Sequence, residues 1–496
     1  MKRLFNLAKR ASAVLALGAG AAIALPAQTI TTVISFSDGA NSRAALIQAA
    51  NGNLYGTTEY GGTSLYFGTL FKVTPNGVLT TLHNFCPRDF DCFDGEYPLA
   101  GLVLASDGDF YGTTSLGGTG GWGTIFKITP SGKLTTVHSF CEQSGCPDGA
   151  SPVAALIQGT NGDLYGTTSA GGANNSCPNA PGCGTIFKIT PSGTLTTLYS
   201  FCSQSQCADG DYPVAGLVQA SNGELYGTTE YGGTSTVCGY GCGTAFKITP
   251  SGKLTTLHSF CSEGGSNCTD GYNPQTGLIQ ASNGDLYGTT FGSIFKITAS
   301  GLNTLYSFCY SYQYCAGPYD PSGLVQASDG KLYGTTYFGG PACVTYIRGC
   351  GTLFEITPSG TLTTLYTFSC TESQCADGAN PYAGLVQATN GSLYGTTSIG
   401  GDSGGGTVFR LSVGLGPFVK TVPTSGKVGA KVTILGTDLA GATSVTFNGT
   451  PAAPYTVNPT GSAITTTVPS AATSGTVQVV TPSGTLSSSV AFRVLP

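Results

Sequence analysis

The stretch Asn161-Gly-Asp-Leu-Tyr-Gly-Thr-Thr168 recurs along the chain with small changes, from near the N-terminus to about residue 400. Its core is Leu or Phe followed by Tyr-Gly-Thr-Thr, and successive copies lie 56, 54, 61, 61, 46 and 61 residues apart. Self-similarity at this spacing is typical of repeat architectures and not of a catalytic motif. The repeated tyrosines are Tyr55, Tyr111, Tyr165, Tyr226, Tyr287, Tyr333 and Tyr394.

The composition indicates an all-β protein. Only 9% of the 496 residues are charged, 40% are hydrophobic, and there are 75 glycines. The chain is therefore too apolar to be disordered and too rich in turn residues to form long helices. The formal net charge is -5, so the surface repels phosphate backbones and nucleic acid is excluded as a partner.

The first 27 residues resemble an export signal in composition. A basic segment with Lys2-Arg3 and Lys9-Arg10 precedes an Ala-rich apolar run over residues 11–25. That run is shorter than the ~20 residues of a membrane span, and the small residue Ala27 suits signal peptidase. We predict a signal peptide over residues 1–27 and a secreted or cell-surface protein with no membrane span after cleavage. The alternative is a retained N-terminal anchor.

The 18 cysteines fall into nine close pairs, which favours local disulfide bonds in an exported protein. Zinc is the alternative, but the intervals within the pairs are irregular and enclose no histidine. The predicted pairs are Cys86/Cys92, Cys141/Cys146, Cys177/Cys183, Cys202/Cys207, Cys238/Cys242, Cys261/Cys268, Cys309/Cys315, Cys343/Cys350 and Cys370/Cys375.

One repeat reads as four short strands joined by turns, with Asn-Gly in the first turn and Pro-Ser-Gly in the last. In the fourth repeat the strands are residues 215–221, 225–229, 243–249 and 254–260. Four antiparallel strands repeated seven times predict a seven-bladed β-propeller over residues 28–413.

The ends of the repeat region predict how the ring closes. The long connection that follows the Leu-Thr-Thr-Leu strand must cross to the next blade. The Leu-Thr-Thr-Leu strand is therefore the outermost strand of each blade. The seventh repeat ends after its third strand, at residues 406–412, while residues 30–36 form a strand without a repeat. We expect residues 30–36 to pair with that third strand and complete the seventh blade, which removes an open sheet edge.

From residue 414 the pattern changes to short alternating strands separated by Gly, Pro and Asn turns. This pattern predicts a small β-sandwich over residues 414–496. At Val445-Thr-Phe-Asn-Gly449 and Thr467-Val-Pro469 the segment resembles the IPT/TIG immunoglobulin-like domains. The resemblance implies a spacer or a binding module.

The repeats resemble the GloVer tandem repeat family, secreted bacterial proteins with a variable C-terminal anchor. The likeness spans about residues 29–413 and is based on the recurring Gly-Leu-Val-Gln-Ala-Ser-Asn-Gly-Asp-Leu-Tyr-Gly-Thr-Thr and Gly-Thr-Ile-Phe-Lys-Ile-Thr-Pro-Ser-Gly signatures. The resemblance implies a secreted propeller and identifies no catalytic residue.

The residue types that carry chemistry are few. His83, His138 and His258 occupy one repeat position on the outer strands of different blades, so they cannot converge, and we interpret them as partly buried aromatic side chains. Asp-Gly recurs in the long connection, where calcium is possible. One loop supplies only two or three carboxylates, whereas calcium needs six or more oxygen ligands, and turn chemistry explains the recurrence without a metal. We therefore predict no catalytic residue, no cofactor and no metal. The Asp-Gly aspartates are Asp38, Asp94, Asp148, Asp209, Asp270 and Asp377.

Strand direction predicts the ligand face. The connections between the second and third strands and the crossings between blades emerge on one side of the ring, and they carry the cysteine pairs and exposed aromatic residues. We predict a monomer that binds carbohydrate or an extracellular protein there; packing of these residues on neighbouring loops is the alternative. The second candidate function is a lyase or hydrolase, because the blades are loosely similar to the propeller lyase that opens streptogramin antibiotics. The candidate ligand-face residues are Tyr60, Trp122, Tyr231, Tyr240, Tyr312, Tyr337 and Tyr346.

Overall fold

Each Tyr-Gly-Thr-Thr unit forms a β-strand that is almost wholly buried, because both faces of its sheet are covered by neighbouring sheets. The computed structural model describes residues 28–36, 40–62, 67–87, 91–174, 177, 182–262, 268–308, 319–340, 350–371 and 375–496. Within these ranges the chain is all-β apart from one 3₁₀ turn at Ser205–Cys207, and no helix there is long and apolar enough to cross a membrane. The predicted signal peptide, residues 1–27, lies outside the described residues.

The strands between residues 29 and 412 form seven antiparallel sheets in the described part of the chain. The first strand of the chain is β1 (Thr29–Ser35). Five sheets then follow with four strands each, in sequence order: β2 (Ile47–Gln48), β3 (Leu54–Thr58), β4 (Thr69–Val73) and β5 (Leu79–Asn84); β6 (Val103–Leu104), β7 (Phe110–Thr114), β8 (Thr124–Ile128) and β9 (Leu134–Ser139); β10 (Ile157–Gln158), β11 (Leu164–Thr168), β12 (Thr185–Ile189) and β13 (Leu195–Ser200); β14 (Val218–Gln219), β15 (Leu225–Thr229), β16 (Thr244–Ile248) and β17 (Leu254–Ser259); β18 (Ile279–Gln280), β19 (Leu286–Thr289), β20 (Ser293–Thr298) and β21 (Gly301–Ser307).

The sixth and seventh sheets vary this plan. The strands of the sixth are β22 (Tyr319–Pro321), β23 (Val325–Gln326), β24 (Leu332–Phe338), β25 (Thr352–Ile356) and β26 (Leu362–Thr367). The additional strand is β22, which pairs with the end of β24. The seventh contains β27 (Val386–Gln387), β28 (Leu393–Thr396) and β29 (Thr407–Ser412), and its fourth strand is β1.

The pairing of β1 with β29 joins the two ends of the repeat region, as the sequence predicted. The register runs antiparallel from Thr29 opposite Ser412 to Ser35 opposite Thr407. Beyond β1, the buried Phe36 packs edge-on against Phe71 of the first sheet, with ring centroids 5.1 Å apart. The N-terminal strand therefore stabilises both the seventh sheet and its contact with the first.

Hydrogen bonds between neighbouring sheets also close the cycle. The first threonine of each Tyr-Gly-Thr-Thr unit donates its hydroxyl to a carbonyl at the entry to the next sheet; Thr57 bonds Ala100 at 3.0 Å and Thr167 bonds Ala215 at 3.1 Å. In the seventh sheet Thr396 bonds Ala44 of the first sheet at 3.4 Å. The first and seventh sheets are thus neighbours, and the seven sheets follow one another around a closed cycle.

The glycine of the repeated unit is required by close packing. A Cβ atom at Gly227 would lie 2.7 Å from Cζ of Phe246 and 2.8 Å from Cδ2 of Leu217, both within the same sheet. The tyrosine before the glycine is anchored by the hairpin turn, where Asn51 donates to Tyr55 Oη at 2.8 Å and Tyr111 Oη donates to Asp107 at 2.9 Å. The Asn-Gly or Asp-Gly turn and the Tyr-Gly-Thr-Thr strand are therefore one structural unit.

The long connections carry disulfide bonds between neighbouring cysteines. The structure joins Cys86–Cys92, Cys141–Cys146, Cys177–Cys183, Cys202–Cys207, Cys238–Cys242, Cys261–Cys268 and Cys370–Cys375. Each of these bonds closes a loop of only a few residues, so it fixes the loop more than it stabilises the fold. The remaining two predicted pairs involve Cys309, Cys315 and Cys343, which lie outside the described residues.

After residue 412 the chain forms two four-stranded sheets and one parallel pair in the described residues. The strands are β30 (Lys420–Val422), β31 (Ser425–Lys427), β32 (Lys431–Leu435), β33 (Ser444–Phe447), β34 (Thr450–Pro451), β35 (Thr456–Val457), β36 (Ala463–Thr467), β37 (Val477–Thr481), β38 (Gly484–Ser487) and β39 (Arg493–Leu495). The first sheet has the order β30-β32-β36-β35, the second β34-β33-β37-β38, and β31 pairs with β39. The two sheets share one apolar core that includes Val432, Phe447, Ile464, Val479 and Phe492.

This C-terminal region packs against the hairpin turns of the first and seventh sheets. Asn458 and Ser462 donate to the Ala50 carbonyl at 3.0 and 2.6 Å, and the hydroxyls of Thr437 and Thr389 are 2.9 Å apart. The Asn-Gly turns lie at the opposite ends of the strands from the long connections. The C-terminal region therefore occupies the side of the ring opposite the predicted ligand face.

Candidate functional site

Seven equivalent residues precede the inner strands, and all have the left-handed backbone conformation. The backbone N–H of each of these residues donates to a backbone carbonyl of the preceding sheet, near the end of the connection between its second and third strands. Asp320 donates to the Phe291 carbonyl at 3.1 Å, and Asn41 donates to the Gly405 carbonyl at 3.2 Å. Asn and Asp tolerate this conformation better than most residues. The set is Asn41 (φ 46°), Tyr97 (55°), Ser151 (52°), Tyr212 (57°), Asn273 (47°), Asp320 (58°) and Asn380 (55°).

Side chains next to these positions come together from several sheets. The Tyr382 ring, from the seventh sheet, lies 5.5 Å from the Arg43 guanidinium of the first sheet and borders one cavity with Asp320 of the sixth. Gln275 of the fifth sheet lines the same cavity and donates to Glu230 of the fourth. We call this group the axial mouth. It consists of Arg43, Glu59, Glu230, Gln275, Asp320, Tyr337 and Tyr382.

Two of the acidic residues in the axial mouth have partners. Arg43 Nε lies 2.8 Å from a carboxylate oxygen of Glu59, and Asn41 donates to the same oxygen at 3.0 Å. Gln275 donates to Glu230 at 3.0 Å. Burial raises the pKa of Glu230, although the hydrogen bonds from Gln275 and Tyr231 oppose this. Glu59 is thus balanced by a cation, whereas Glu230 has only neutral partners here.

Asp320 has a different environment. No described residue donates a hydrogen bond to its carboxylate, and burial, with a smaller contribution from the charge of Glu230, raises its pKa to about 7. The residue lines a cavity of about 30 Å³ between the fifth, sixth and seventh sheets. The other residues around this cavity are Asn273, Gln275, Thr276, Thr289, Thr290, Phe291, Pro321, Ser322, Tyr337 and Tyr382. A carboxylate without a partner at the edge of a polar cavity can accept a proton or bind a cationic group.

Tyr382 is the most exposed aromatic residue of the axial mouth, with 40% of its surface accessible. Its ring lies edge-on to Tyr337, with centroids 5.7 Å apart, and the Arg43 guanidinium is 5.5 Å from its centroid. Burial and the charge of Asp320 raise the pKa of Tyr382, so the phenol stays protonated at neutral pH. The ring can therefore stack on a ligand while its hydroxyl forms hydrogen bonds.

The candidate ligand-face residues differ in exposure. Trp122 and Tyr240 are 37% and 54% exposed, so they can contact a ligand directly. Tyr60, Tyr231 and Tyr337 are partly buried and contact Tyr97, Tyr212 and Tyr382, respectively. Tyr312 and Tyr346 lie outside the described residues. The aromatic residues thus divide into an exposed pair and rings that pack against other tyrosines.

The histidines have a role that the sequence analysis did not identify. His83, His138 and His258 each place Nε2 within 2.8 to 2.9 Å of the aspartate of the neighbouring Asp-Gly turn. Where the repeat has tyrosine instead, Tyr199 donates to Asp209 at 2.8 Å. The histidines are half-buried, as expected from the sequence, and they serve to orient the long connections.

The aspartates of these turns are already engaged in hydrogen bonds. Asp209 is fully buried and accepts from Tyr199, from the hydroxyl and N–H of Ser203 and from the N–H of Gln204. Turn chemistry therefore accounts for the recurrence of Asp-Gly at the described loops. Calcium at these loops stays a hypothesis.

Some sulfur atoms of different pairs lie close together. The Sγ atoms of Cys238, Cys242, Cys261 and Cys268 all lie within 4.8 Å of one another. They belong to two disulfides, and a disulfide sulfur is not the thiolate that zinc requires. The described structure therefore favours the disulfide interpretation of these four cysteines.

The sequence analysis did not identify the axial mouth. Asp320 occurs in the only repeat whose Asp-Gly turn is absent, and its equivalents are Asn, Tyr or Ser. The sequence feature that could have indicated these left-handed positions is an Asn or Asp before a Pro, which occurs at Asn273-Pro274, Asp320-Pro321 and Asn380-Pro381.

Three solved structures are remotely similar to this chain. An extracellular domain assigned to a one-component system of Bacteroides thetaiotaomicron is 11% identical, with a TM-score of 0.48 and coverage of 95% of this chain and 58% of that domain. A gluconolactonase from Xanthomonas campestris is 13% identical, with a TM-score of 0.38 and coverage of 63% and 88%. An auxiliary nutrient binding protein from Bacteroides thetaiotaomicron is 13% identical, with a TM-score of 0.38 and coverage of 63% and 68%. These likenesses are too remote to assign a function.

Sequence comparison gives a closer relationship. No protein of curated function shows significant similarity to the chain. The Gloeobacter/Verrucomicrobia repeat matches residues 88–292 and again residues 290–493, which together make up most of the chain. The chain therefore belongs to the Gloeobacter/Verrucomicrobia repeat family.

Proposed function

We propose that this chain is a secreted or cell-surface recognition protein that binds carbohydrate or an extracellular protein. The ligand-binding part is a seven-bladed β-propeller over residues 28–413, and an immunoglobulin-like domain of the IPT/TIG type over residues 414–496 is attached to it. The basic and apolar leader and the disulfide bonds support export. Two four-stranded sheets around one core support the immunoglobulin-like assignment.

The observation that carries the proposal is the axial mouth. It combines the accessible ring of Tyr382 with Arg43, Glu59, Glu230 and Asp320, side chains that the fold brings together from four sheets. Aromatic rings beside hydrogen-bonding groups suit sugars and protein side chains alike. The exposed Trp122 and Tyr240 would extend the contact over the same face.

The test is a binding screen of the protein from residue 28 onward against a glycan array and a panel of extracellular proteins. For a ligand found there, Trp122→Ala, Tyr240→Ala and Tyr382→Leu should each weaken binding about tenfold, equivalent to ~1.4 kcal/mol. Leucine is a suitable replacement because the second repeat has Leu99 at the position of Tyr382.

The matched control is Ser192→Ala in a Pro-Ser-Gly turn, on the opposite side of the ring. Ser192 shares a hydrogen bond only with Thr190 of the same turn, so the substitution should leave the fold and binding unchanged. Loss of binding in the turn variant with retention in the three aromatic variants would place the ligand on the other face and overturn the proposal.

A second candidate function is a secreted lyase or hydrolase. The observation in its favour is that burial raises the pKa of both Glu230 and Asp320, the latter to about 7, near the value that suits a general acid or base. An activity panel with and without divalent metal tests it. Turnover that disappears in Asp320→Asn would establish catalysis, whereas binding without turnover supports recognition alone.

A further inference from the structure

The charge balance of the axial mouth is uneven. Arg43 is the only cationic side chain among its residues, and it is paired with Glu59. Glu230 and Asp320 have no cationic partner among the described residues, and the formal charge of the whole chain is also negative. A ligand group that enters this space gains from carrying a positive charge.

The cavity beside Asp320 has room for a small cationic group. Its volume of about 30 Å³ exceeds the ~10–15 Å³ that a cavity needs to hold one water molecule. A primary ammonium is a compact group with three donors and no acceptor. Water, a small cation or an ammonium group fits this space.

The cavity wall offers acceptors for those donors. It contains the Asp320 carboxylate, the buried hydroxyls of Thr290 and Ser322 and the amide of Gln275. Because no described residue donates to the Asp320 carboxylate, that acceptor is free for an incoming N–H. Removing a carboxylate from water without such a partner is unfavourable, so an ion pair would relieve a cost that the folded protein already carries.

Aromatic rings border the same cavity. Phe291, Tyr337 and Tyr382 line it, and Tyr382 is accessible from outside. Aromatic faces attract ammonium groups and also stack on the apolar faces of sugar rings. The site therefore presents a small recess with an acidic side chain next to an accessible aromatic ring.

We infer that the axial mouth binds an amino sugar with a free amine, its ammonium group in the cavity beside Asp320 and its ring against Tyr382. This inference rests on the proposed recognition function and names its ligand class. An N-acetylated sugar lacks the charge and has only one N–H donor on a bulkier group. The site would thus distinguish deacetylated from acetylated glycans.

The experiment measures binding of chitosan tetrasaccharide, which has free amines, and chitin tetrasaccharide, which is N-acetylated, to the protein from residue 28 onward. We expect the chitosan oligomer to bind at least tenfold more tightly. Asp320→Asn should reduce that preference to about threefold or less. Tyr382→Leu should weaken both oligomers, because it removes the stacking ring and leaves the carboxylate.

Asp320→Asn is a conservative probe of the fold. The first, fifth and seventh repeats have Asn41, Asn273 and Asn380 at this left-handed position, so asparagine fits the backbone. The matched control is Asp402→Asn, an exposed aspartate in the connection of the seventh sheet, which should leave the preference unchanged. A lysine-containing peptide with a blocked N-terminus serves as a second ligand class.

The outcomes separate this inference from the proposed function. Equal binding of the two oligomers, or binding of other glycans only, would overturn the amino-sugar inference and leave carbohydrate recognition standing. A preference that survives Asp320→Asn, or falls equally in Asp402→Asn, would mean general attraction to an acidic surface and would also overturn it. Tighter binding of the lysine peptide would assign the cavity to a protein partner. Failure of every glycan and protein to bind would overturn the proposed function as well.

Discussion

His258 Nε2 lies 2.8 Å from Oδ2 of Asp270, and the same aspartate accepts the backbone N–H of Cys261. This arrangement joins the outer strand β17, the first cysteine of the connection and the Asp-Gly turn. It recurs with His83 and Asp94 and with His138 and Asp148. Each long connection of this type is therefore fixed at its base by a side-chain hydrogen bond in addition to its disulfide.

The first prediction concerns this hydrogen bond. His258→Phe should lower the free energy of unfolding by about 1–2 kcal/mol, because it leaves a partly buried carboxylate without one of its donors. His258→Tyr should change it little, since Tyr199 and Tyr366 bond the equivalent aspartates in other sheets. Denaturant unfolding of both variants checks this, and equal stabilities would mean that the hydrogen bond contributes nothing.

The all-β class and the strand order within the repeats could be predicted from the sequence, because the strands of most sheets follow one another along the chain. Local alternation of turns and apolar strands was enough to order β14 to β17, and one missing strand indicated the pairing of β1 with β29. These inferences depend on residues within one repeat or at the two ends of the repeat region.

The axial mouth could not be predicted in the same way. Arg43, Glu230, Asp320 and Tyr382 come from four sheets and are far apart in sequence, so only the closed cycle brings them together. At each of these four positions the residue type differs between repeats. Aromatic residues in the connections were recognisable by type, but their burial depends on neighbours such as Tyr97 and Tyr212 in adjacent segments.

The second prediction concerns closure of the cycle. Phe36→Ala should reduce the free energy of unfolding by about 3 kcal/mol, because it leaves a cavity against Phe71 where the seventh and first sheets meet. Thr31→Ala, at an exposed position of β1, is the control and should have an effect within about 0.5 kcal/mol. A similar loss in both variants would contradict a specific role of Phe36.

The third prediction concerns the disulfides. Peptide mapping should find each described bond between neighbouring cysteines of one loop, and the same for Cys309/Cys315 and Cys343/Cys350. Because each loop is short, reduction should remove roughly 2 kcal/mol or less per bond and leave the β-sheet signal in circular dichroism. Bonds between different loops, or loss of the sheet signal on reduction, would contradict this prediction.

The last prediction concerns the Asp320 carboxylate and the pH dependence of stability. Burial first, and the charge of Glu230 second, raise its pKa from 3.8 to about 7. A carboxyl with a raised pKa binds its proton more tightly in the folded protein than in the unfolded chain. Its contribution to folding stability therefore falls as the pH rises from about 4 to 7.

Asp320→Asn removes this effect and keeps the size of the side chain. A shift of about 3 pKa units corresponds to ~4 kcal/mol, and partial exposure reduces it, so we expect the variant to be about 1–3 kcal/mol more stable than the wild type at pH 8. Near pH 4 the difference should disappear, because the carboxyl is then neutral. Glu230, Tyr337 and Tyr382 lie near Asp320 in both proteins, so their own titration largely cancels in the comparison. Denaturant unfolding at the two pH values decides the matter: a pH-independent difference, or a variant less stable at pH 8, would show that Asp320 is not an uncompensated charge.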